Sequence, residues 1–374
     1  MDRSLQEVLG SETLSALQHS DAVAHGLPPE AYTSDSYFAL ENDRLFRDSW
    51  VFAAFAHELA KPGDATPVTI AGRPVLILRN RAGELKAFHN VCRHRCLQLV
   101  EKSCNVGHVL RCPYHSWTYT LDGDLKLTPF FGGRDPTAVP EGFDPSTRGL
   151  VPVRFAVWHD WIFVNLSGAA PEFETLVAPL ARWLEDIDFG EVQHVATIDL
   201  GEVRCNWKFL MENFIEPYHV QYVHKSTTEQ PLTDHYPIDE PGCLGSAVDI
   251  TRSDDAMVRD DTLSVSSRYL TLFPNFALGR YYPDQIGVHL NTPIAVDRTL
   301  QRRAIYATNL DAVSPAQVEK LAKLWRGVHA EDHAMCERLQ SGRASEVAMD
   351  GGVLSPVWEK SVLGFQKLVL DALR

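Results

Sequence analysis

Residues 92–117 read CRHRCLQLVEKSCNVGHVLRCPYHSW, and two short segments of this stretch share one chemical pattern. Cys92 and His94 form the first pair, Cys112 and His115 form the second, and 17 residues separate His94 from Cys112. The flanking sequence is β-branched and punctuated by glycine or asparagine, which is typical of strands joined by tight loops. Each loop therefore offers one soft thiolate and one imidazole, the residue types that bind transition metals.

Two kinds of metal centre use two sulfur and two nitrogen ligands. A tetrahedral zinc ion binds such a set at one point. A Rieske [2Fe–2S] cluster has two cysteines on one iron and two histidines on the other. Zinc fingers usually pair Cys with Cys and His with His along the chain, whereas each loop here mixes one of each. The mixed loops favour the cluster, with Cys92, His94, Cys112 and His115 as its ligands.

The segments CRHR and CPYHSWTY resemble the cluster loops of Rieske non-haem iron oxygenases, the ring-hydroxylating oxygenase alpha-subunit family. The resemblance implies an α+β fold. A β-rich Rieske [2Fe–2S] domain is combined with a helix-grip (START-like) catalytic domain that has an antiparallel sheet and long C-terminal helices. We place N-terminal helices joined to the catalytic domain at residues 1–44, the Rieske domain at 45–165 and the mononuclear non-haem iron domain at 166–374.

Composition excludes several classes of protein. The chain has 374 residues, 35 basic and 49 acidic side chains, and a formal net charge of −14, which argues against nucleic acid as a partner. No apolar run has the length of a membrane span, and the N-terminus lacks the apolar core of a secretory signal. Seven cysteines without such a signal indicate free thiols in a reducing compartment. We therefore expect a cytoplasmic protein with no membrane partner.

A second set of metal-binding residue types lies in NWKFLMENFIEPYHVQYVHKS, residues 206–226. The segment starts with helical apolar spacing, and Pro217 is expected to end or bend that helix. His219 and His224 do not share one face of a regular helix, so a bend is needed to bring them together. Two imidazoles and one carboxylate, with positions left open, form the site of non-haem Fe(II) oxygenases. The segment is similar to the mononuclear-iron motif of the same family, which makes both histidines candidate ligands.

The third ligand is expected on a long helix that begins at Ser314. Asp332 interrupts an apolar stripe of this helix, and a carboxylate on a buried stripe is costly unless it is paired or binds metal. The family has its third ligand in a late helix, in a Glu-Asp context like that of residues 331–332. A structural ion pair, or a different metal pair with His329 and His333, is the alternative. The stripe comprises Val318, Leu321, Trp325, Val328, Met335 and Leu339.

Glu216 and Asn213 receive their roles from the resemblance alone. In the family, an acid three positions before the first iron histidine hydrogen-bonds a cluster histidine of one subunit and an iron histidine of the next. Most members have Asp there, and a subset similar to the carnitine and glycine-betaine oxygenases has Glu. We expect Glu216 to link the two centres and to orient the imidazoles. Asn213 lies in the same motif and is a candidate catalytic residue.

The resemblance also implies the partners of the reaction. A separate flavin- or ferredoxin-type reductase takes electrons from NAD(P)H and delivers them to the cluster, from which they pass to the iron of a neighbouring subunit. The implied assembly is a homotrimer with intersubunit electron transfer. O₂ and a small organic substrate meet at the iron. No G-x-G-x-x-G motif follows a predicted strand, so the sequence gives no sign that this chain binds the nucleotide itself.

An aromatic-rich stretch is the candidate for binding the substrate. Its side chains could cage a quaternary ammonium group, pack against an aromatic substrate or form core. The Glu216 variant and the pattern Glu331-Asp332-x3-Cys336-Glu337 resemble the quaternary-amine branch, nearest the carnitine and glycine-betaine oxygenases. We expect hydroxylation of a quaternary ammonium or N-methyl compound with C–N cleavage or demethylation. Aromatic-ring hydroxylation or O-demethylation is the alternative. A Rieske electron-transfer protein without oxygenase activity and a zinc-binding module are alternatives of other classes. The stretch contains Tyr269, Phe273, Phe276, Tyr281 and Tyr282.

Two further cysteines lie beside the cluster loops. Cys96 occupies the place where the family usually has glycine, and Cys104 is nearby. We expect both to be buried small apolar residues. A Cys96–Cys104 disulfide is the alternative.

Overall fold

The fold is taken from a computed structural model that describes residues 5–9, 24–225, 227–228, 230–249, 266–308 and 314–374. The chain divides into two compact units, Phe46–Ala170 and Met1–Leu45 together with Pro171–Arg374. We call the first the β unit and the second the α+β unit. Over the described ranges, no helix combines the length and the apolar character needed to cross a membrane.

The β unit contains three small sheets, all antiparallel. The first has the strand order Arg154–Trp158, Trp161–Asn165, Val51–Phe55. The second has the order Leu85–His89, Arg73–Arg79, Asp64–Ile70, Cys104–Asn105. The third has the order Leu110–Arg111, Thr118–Tyr119, Leu125–Leu127. Two short 3₁₀ helices complete the unit, Ala56–Leu59 and Pro145–Arg148. Cys92 and Cys112 belong to its hydrophobic core, together with Leu76, Phe88 and Trp117.

The α+β unit is built on a seven-stranded antiparallel sheet. Its strands lie in the order Gln193–Val203, Arg298–Ala307, Gln285–Ala295, Phe276–Tyr281, Ser267–Leu272, Cys243–Val248, His235–Glu240. A two-stranded ladder joins Ala24–His25 to Val353–Leu354. The described helices are Leu5–Leu9, Glu30–Thr33, Asp35–Leu40, the π-helical Glu41–Phe46, Phe173–Arg182, Trp207–Ile215, Val220–Val223, Leu232–Asp234, Pro315–Gly342, Glu346–Ala348 and Lys360–Ala372. The predicted α+β class, with an antiparallel sheet and long C-terminal helices, is confirmed.

The long helix Pro315–Gly342 begins as the sequence predicts. Ser314 and Gln317 form a capping box at its N-terminus, with proline in the first turn. Leu321, Trp325 and Val328 pack on the sheet in one buried cluster with Ile198 and Ile305. The predicted stripe is wrong at its end, because Leu339 is 48% exposed. Helical periodicity fixes a direction around the axis, but it does not tell how far the opposing surface extends.

A buried polar network anchors the helix Trp207–Ile215, which precedes the predicted histidine motif. Nζ of Lys208 lies 2.5 Å from Oε1 of Glu41, and both side chains are fully buried. The indole of Trp207 donates to the other oxygen of Glu41 at 3.0 Å. Tyr32 donates to Glu212 at 2.7 Å. Because a buried charge is stable only when it is paired, this network fixes the start of the helix in one register against the N-terminal segment.

Candidate metal centres

The two cluster loops of the β unit have the same backbone design. The N–H of Cys92 donates to the carbonyl of Leu97, five residues on, and the N–H of Cys96 donates back to Cys92. The second loop repeats this pattern, with Cys112 donating to Trp117 and Ser116 donating to Cys112. Both Cys96 and Ser116 have a φ of 59°. Each loop thus folds its pair of predicted ligands onto the same kind of tight turn.

The four predicted cluster ligands divide into an inner and an outer pair. Cys92 and Cys112 are 1% and 2% exposed, whereas His94 is half-buried and His115 is exposed. The two imidazole rings lie 4.7 Å apart, and His94 stacks on Trp117 at 4.8 Å. Burial raises the pKa of the Cys92 thiol, so a metal is needed to hold it as thiolate. Two thiols inside and two imidazoles outside fit a cluster with two chemically different irons.

The same geometry argues against a single zinc ion. Ligands of a tetrahedral zinc lie about 2.0–2.3 Å from the metal and therefore within about 4 Å of one another. Across the described residues, the only three His, Cys, Asp or Glu side chains with all ligand atoms within 4.8 Å are His219, His224 and Asp332. No three of the cluster residues converge on one point in that way, so two metal positions fit them better than one.

Cys96 and Cys104 are exposed free thiols, which makes the expectation of buried apolar residues wrong. The alternative disulfide between them is not formed. The positive φ of Cys96 gives a physical reason for a glycine at that place, since a side chain strains this conformation. This position therefore requires a left-handed backbone conformation and does not require a buried side chain.

The histidine motif of the α+β unit is bent as the sequence predicts. Asn206 caps the helix Trp207–Ile215, accepting a hydrogen bond from the N–H of Lys208, and Glu216 is extended at the helix end. A single short turn, Val220–Val223, then separates His219 from His224. This bend places the two imidazole rings 5.2 Å apart.

Asp332 completes a group of three side chains that meet at one point. Its Oδ1 lies 3.1 Å from Nε2 of His224 and 3.5 Å from Nε2 of His219. Although Oδ1 is buried, it makes no aligned hydrogen bond to either ring. The three possible metal-ligand atoms, Nε2 of His219, Nε2 of His224 and Oδ1 of Asp332, thus face one point, which suits the binding of one cation. Two imidazoles and one carboxylate are the donor set of a non-haem Fe(II) site.

Two carboxylates outside this group hold the imidazoles from behind. Nδ1 of His219 donates to Glu216 at 2.6 Å, and Nδ1 of His224 donates to Glu331 at 2.8 Å. Each ring therefore presents Nε2 to the shared point, the usual way in which outer acids orient metal-binding histidines. The sequence identifies Glu216 as an acid that orients a histidine, but it does not identify Glu331 in that role. The only sign of Glu331 in the sequence is its place directly before Asp332. The side chain of Asn213 lies close enough to Asp332 to help lower the pKa of that carboxyl.

The electrostatics of the group favour positive charge at its centre. Burial alone would lower the pKa of His224, but Asp332 and Glu331 raise it to about 9. Burial likewise opposes the charged form of His219, while Glu216 and Asp332 raise its pKa above the usual value. For Asp332, burial raises the pKa, and the two imidazoles overcome this and lower it. A divalent cation can take the place of the protons that these groups attract.

A cavity of about 700 Å³, counted out to its open mouth, lies beside these three residues. Its walls are mainly apolar and aromatic, as in most small-molecule sites. From the predicted aromatic stretch, only Tyr269 and Tyr281 line it. Phe276 is in the core, Phe273 packs on Phe365, and Tyr282 lies under Arg280. Further wall residues are Phe214, Trp325, His289, His329, Gln301 and Arg303.

The alternative metal pair formed by His329 and His333 is not supported by their surroundings. His329 is buried against His289 at a ring distance of 4.8 Å, and burial holds its pKa well below the usual value. Nε2 of His333 lies 2.7 Å from the amide oxygen of Gln301. Neither is in the group of three converging side chains.

Comparison with known proteins matches one family model to each of the two units. The family model for the ring hydroxylating alpha subunit (catalytic domain) matches residues 189–374, and the model for the Rieske [2Fe-2S] domain matches residues 49–138. The glycine betaine monooxygenase oxygenase subunit of Chromohalobacter salexigens is 33% identical over 58% of this chain and 47% of its own length. The carnitine monooxygenase oxygenase subunit of Acinetobacter pittii is 31% identical over 57% of this chain and 56% of its own length. The matches thus span about half the length of these two relatives.

Solved structures extend the likeness over nearly the whole chain. A quaternary ammonium Rieske monooxygenase superimposes with a TM-score of 0.80 at 26% identity and covers 94% of this chain and 96% of its own. Naphthalene 1,2-dioxygenase from Rhodococcus sp. has a TM-score of 0.81 at 18% identity over 100% of this chain and 99% of its own, which shows the fold alone. The chain belongs to the ring-hydroxylating alpha-subunit family of Rieske non-haem iron oxygenases, which use a [2Fe–2S] cluster and a mononuclear iron.

Proposed function

We propose that this chain is a terminal oxygenase that hydroxylates a quaternary ammonium or N-methyl compound at a carbon bonded to nitrogen. One atom of O₂ enters the C–H bond, and the other becomes water with two electrons from a reductase and two protons. The carbinol then loses its C–N bond to give an aldehyde and an amine. The observation that carries the proposal is the convergence of His219, His224 and Asp332 beside an aromatic-walled cavity, in a chain similar to enzymes named for such substrates.

We assign the metal sites residue by residue. Cys92 and Cys112 bind one iron of the cluster, and His94 and His115 bind the other; their separation into an inner and an outer pair supports this. His219, His224 and Asp332 hold the mononuclear iron. The chemistry that iron supplies there is activation of O₂ beside the substrate, with electrons relayed from the cluster.

The protein's own groups prepare this site. Glu216 and Glu331 fix the tautomer and direction of the two imidazoles, and Asn213 supports the carboxylate of Asp332. Phe214 and Trp325 are among the apolar walls that keep bulk water from the reacting carbon. The domain assignment 1–44, 45–165 and 166–374 is part of the same proposal, with the Glu41–Lys208 pair as support for joining the N-terminal helices to the catalytic part.

Partners and assembly follow from the same assignment. A flavin- or ferredoxin-type reductase brings electrons from NAD(P)H, and a homotrimer passes them from the cluster of one subunit to the iron of the next. The exposed imidazole of His115 is available for such a contact, and Glu216 already holds His219 on the iron side. Seven free thiols are in keeping with the cytoplasmic location predicted from the sequence.

The experiment is a single turnover that needs no natural reductase. Protein reconstituted with Fe(II) is reduced with dithionite, freed of excess reductant and mixed with O₂ and one of glycine betaine, L-carnitine, γ-butyrobetaine or choline. We expect an amine and an aldehyde by mass spectrometry from at least one of them, and none from Asp332→Asn. Vanillate and benzoate test the alternative, ring hydroxylation or O-demethylation, which the aromatic walls Tyr269 and Tyr281 could also serve. Products from aromatic compounds only would overturn the proposal.

A further inference from the structure

Arg303 and His289 form a buried pair on two neighbouring strands of the seven-stranded sheet. They lie directly opposite each other in the register of Arg298–Ala307 and Gln285–Ala295, which places their side chains on one face of the sheet. Nη1 of Arg303 donates to Nε2 of His289 at 2.5 Å. The arginine has 0% exposure, and its central carbon lies 3.4 Å from the centre of the Trp325 ring. Because the guanidinium is sealed behind the wall of the cavity, it acts on the cavity only through His289.

The pair fixes the tautomer of His289. The guanidinium of an arginine donates hydrogen bonds and never accepts them, so Nε2 of His289 accepts and carries no proton. In a neutral imidazole the proton is then on Nδ1. Burial, and after it the positive charge of Arg303, holds the pKa of His289 well below its usual value, so the ring stays neutral. His289 is therefore a donor at Nδ1 and has no free acceptor.

Nδ1 of His289 is the nitrogen of this ring that is open to a ligand. Within the described parts of the chain it makes no hydrogen bond, and it is not one of the buried nitrogens without a partner, so it keeps some accessible surface. His289 is 5% exposed and lines the cavity, which makes the cavity the space that this surface faces. The rings of Phe214 and His329 cross its plane at 64°, at centre distances of 4.7 and 4.8 Å, and hold its direction.

The acids around the proposed iron site do not take up this donor, because each is engaged with an iron-site histidine. Glu216 and Glu331 hold the rings from behind, and Asp332 faces them. A donor in a mainly apolar wall lacks the partner that water would supply. We infer that His289 donates a hydrogen bond from Nδ1 to an oxygen atom of the substrate, and that this bond sets which carbon lies at the iron site. Arg303 is then a positioning residue that acts through His289.

This inference rests on the proposed function for the ammonium end of the substrate and adds a requirement at the other end. That end needs an oxygen that accepts a hydrogen bond, and it does not need a charge. Choline and propyltrimethylammonium form a matched pair, because they have the same charge and similar shapes and only choline has an oxygen. Glycine betaine and isobutyltrimethylammonium form a second pair. Choline methyl ether and glycine betaine methyl ester keep an acceptor oxygen and have no O–H to donate.

The test is the binding of these ligands to the purified holoprotein by calorimetry. We expect the oxygen-bearing member of at least one pair to bind about 10-fold tighter than its oxygen-free partner, the scale of one hydrogen bond in a desolvated site. The methyl derivative of that member should also bind tighter than the oxygen-free ligand. Equal binding of the methyl derivative and the oxygen-free ligand in the wild type would overturn the inference, and this measurement needs no variant that folds.

Two variants of His289 separate the donor from the rest of the ring. Asparagine ends near the position of Nδ1 and keeps a donor there. Glutamine reaches the position of Nε2, keeps an acceptor for Arg303 and has no donor at the position of Nδ1. His289→Asn should retain the preference for the oxygen-bearing ligand and His289→Gln should lose it, with the iron content of both unchanged. A preference that His289→Gln keeps, or that both variants lose equally, would overturn the inference.

The outcomes separate this inference from the proposed function. If quaternary ammonium compounds are turned over and neither pair shows a preference that depends on His289, the function stands and the inference is overturned. If vanillate binds to the wild type and to His289→Asn but not to His289→Gln, and no quaternary ammonium compound reacts, the inference stands and the proposed function fails.

Discussion

The carboxylate of Glu331 lies 2.8 Å from Nδ1 of His224, on the residue directly before Asp332. Asp332 itself faces Nε2 of the same ring at 3.1 Å. Two consecutive residues of the long helix therefore contact the two nitrogens of one imidazole, Glu331 at Nδ1 and Asp332 at Nε2. One of them belongs to the proposed metal set, and the other orients a member of that set, which raises the basicity of the ligand.

Glu331→Gln should weaken Fe(II) binding, because a neutral amide no longer supports the charge and direction of His224. Loss of such an orienting acid costs about 10- to 100-fold in metal affinity. The measurement is anaerobic competition with a chromophoric chelator. Glu337→Gln is the matched control, since Glu337 lies on the same helix and pairs with Arg204. Equal affinities of the two variants would contradict the orienting role.

Lys208→Met should lower the free energy of unfolding by about 3–5 kcal/mol, because Glu41 is then buried without its cation. The double variant Lys208→Met, Glu41→Gln should recover a large part of this loss, since it removes both charges and keeps an acceptor for the Trp207 indole. Urea unfolding followed by circular dichroism measures both. A double variant no more stable than Lys208→Met would show that the charge pair is not the cause.

Cys96→Gly should raise the free energy of unfolding by about 1 kcal/mol, because glycine adopts the φ of 59° without strain. The EPR signal of the cluster should not change, since Cys96 is not a proposed ligand. Cys104→Gly is the control; it replaces a residue in a strand, where glycine destabilises. A loss of stability in Cys96→Gly as large as in Cys104→Gly would contradict the account of this turn.

The residues of the two centres could be predicted because each set is mostly local in the sequence. Cys92 and His94 lie in one turn, and Cys112 and His115 lie in another. Pro217 predicts the bend between the preceding helix and the two histidines of the iron site. Asp332 comes from a distant helix. Two arguments identify it: a carboxylate on a buried apolar stripe is costly unless it is paired or binds metal, and the resembling family has its third ligand in a similar place.

The supporting residues could not be predicted, because their partners lie far away in the chain. Glu331 and His224 are 107 residues apart, and nothing local in either segment indicates that they meet. The sequence around Arg303 does not distinguish it from an exposed arginine of a strand, so its burial could not be predicted. Leu339 and Cys96 were predicted to be buried and are exposed. A periodic apolar stripe or an apolar residue type does not by itself establish burial.

The central claim is that the chain holds a [2Fe–2S] cluster and, separately, one iron at His219, His224 and Asp332. Iron and acid-labile sulfide per chain, measured after anaerobic reconstitution with Fe(II) and joined to the EPR spectrum of the reduced protein, test it most directly. We predict about three irons and two sulfides in the wild type and in His333→Ala, and about two irons in His219→Ala with the Rieske signal kept. Two irons in both the wild type and His219→Ala would contradict the claim and leave an electron carrier.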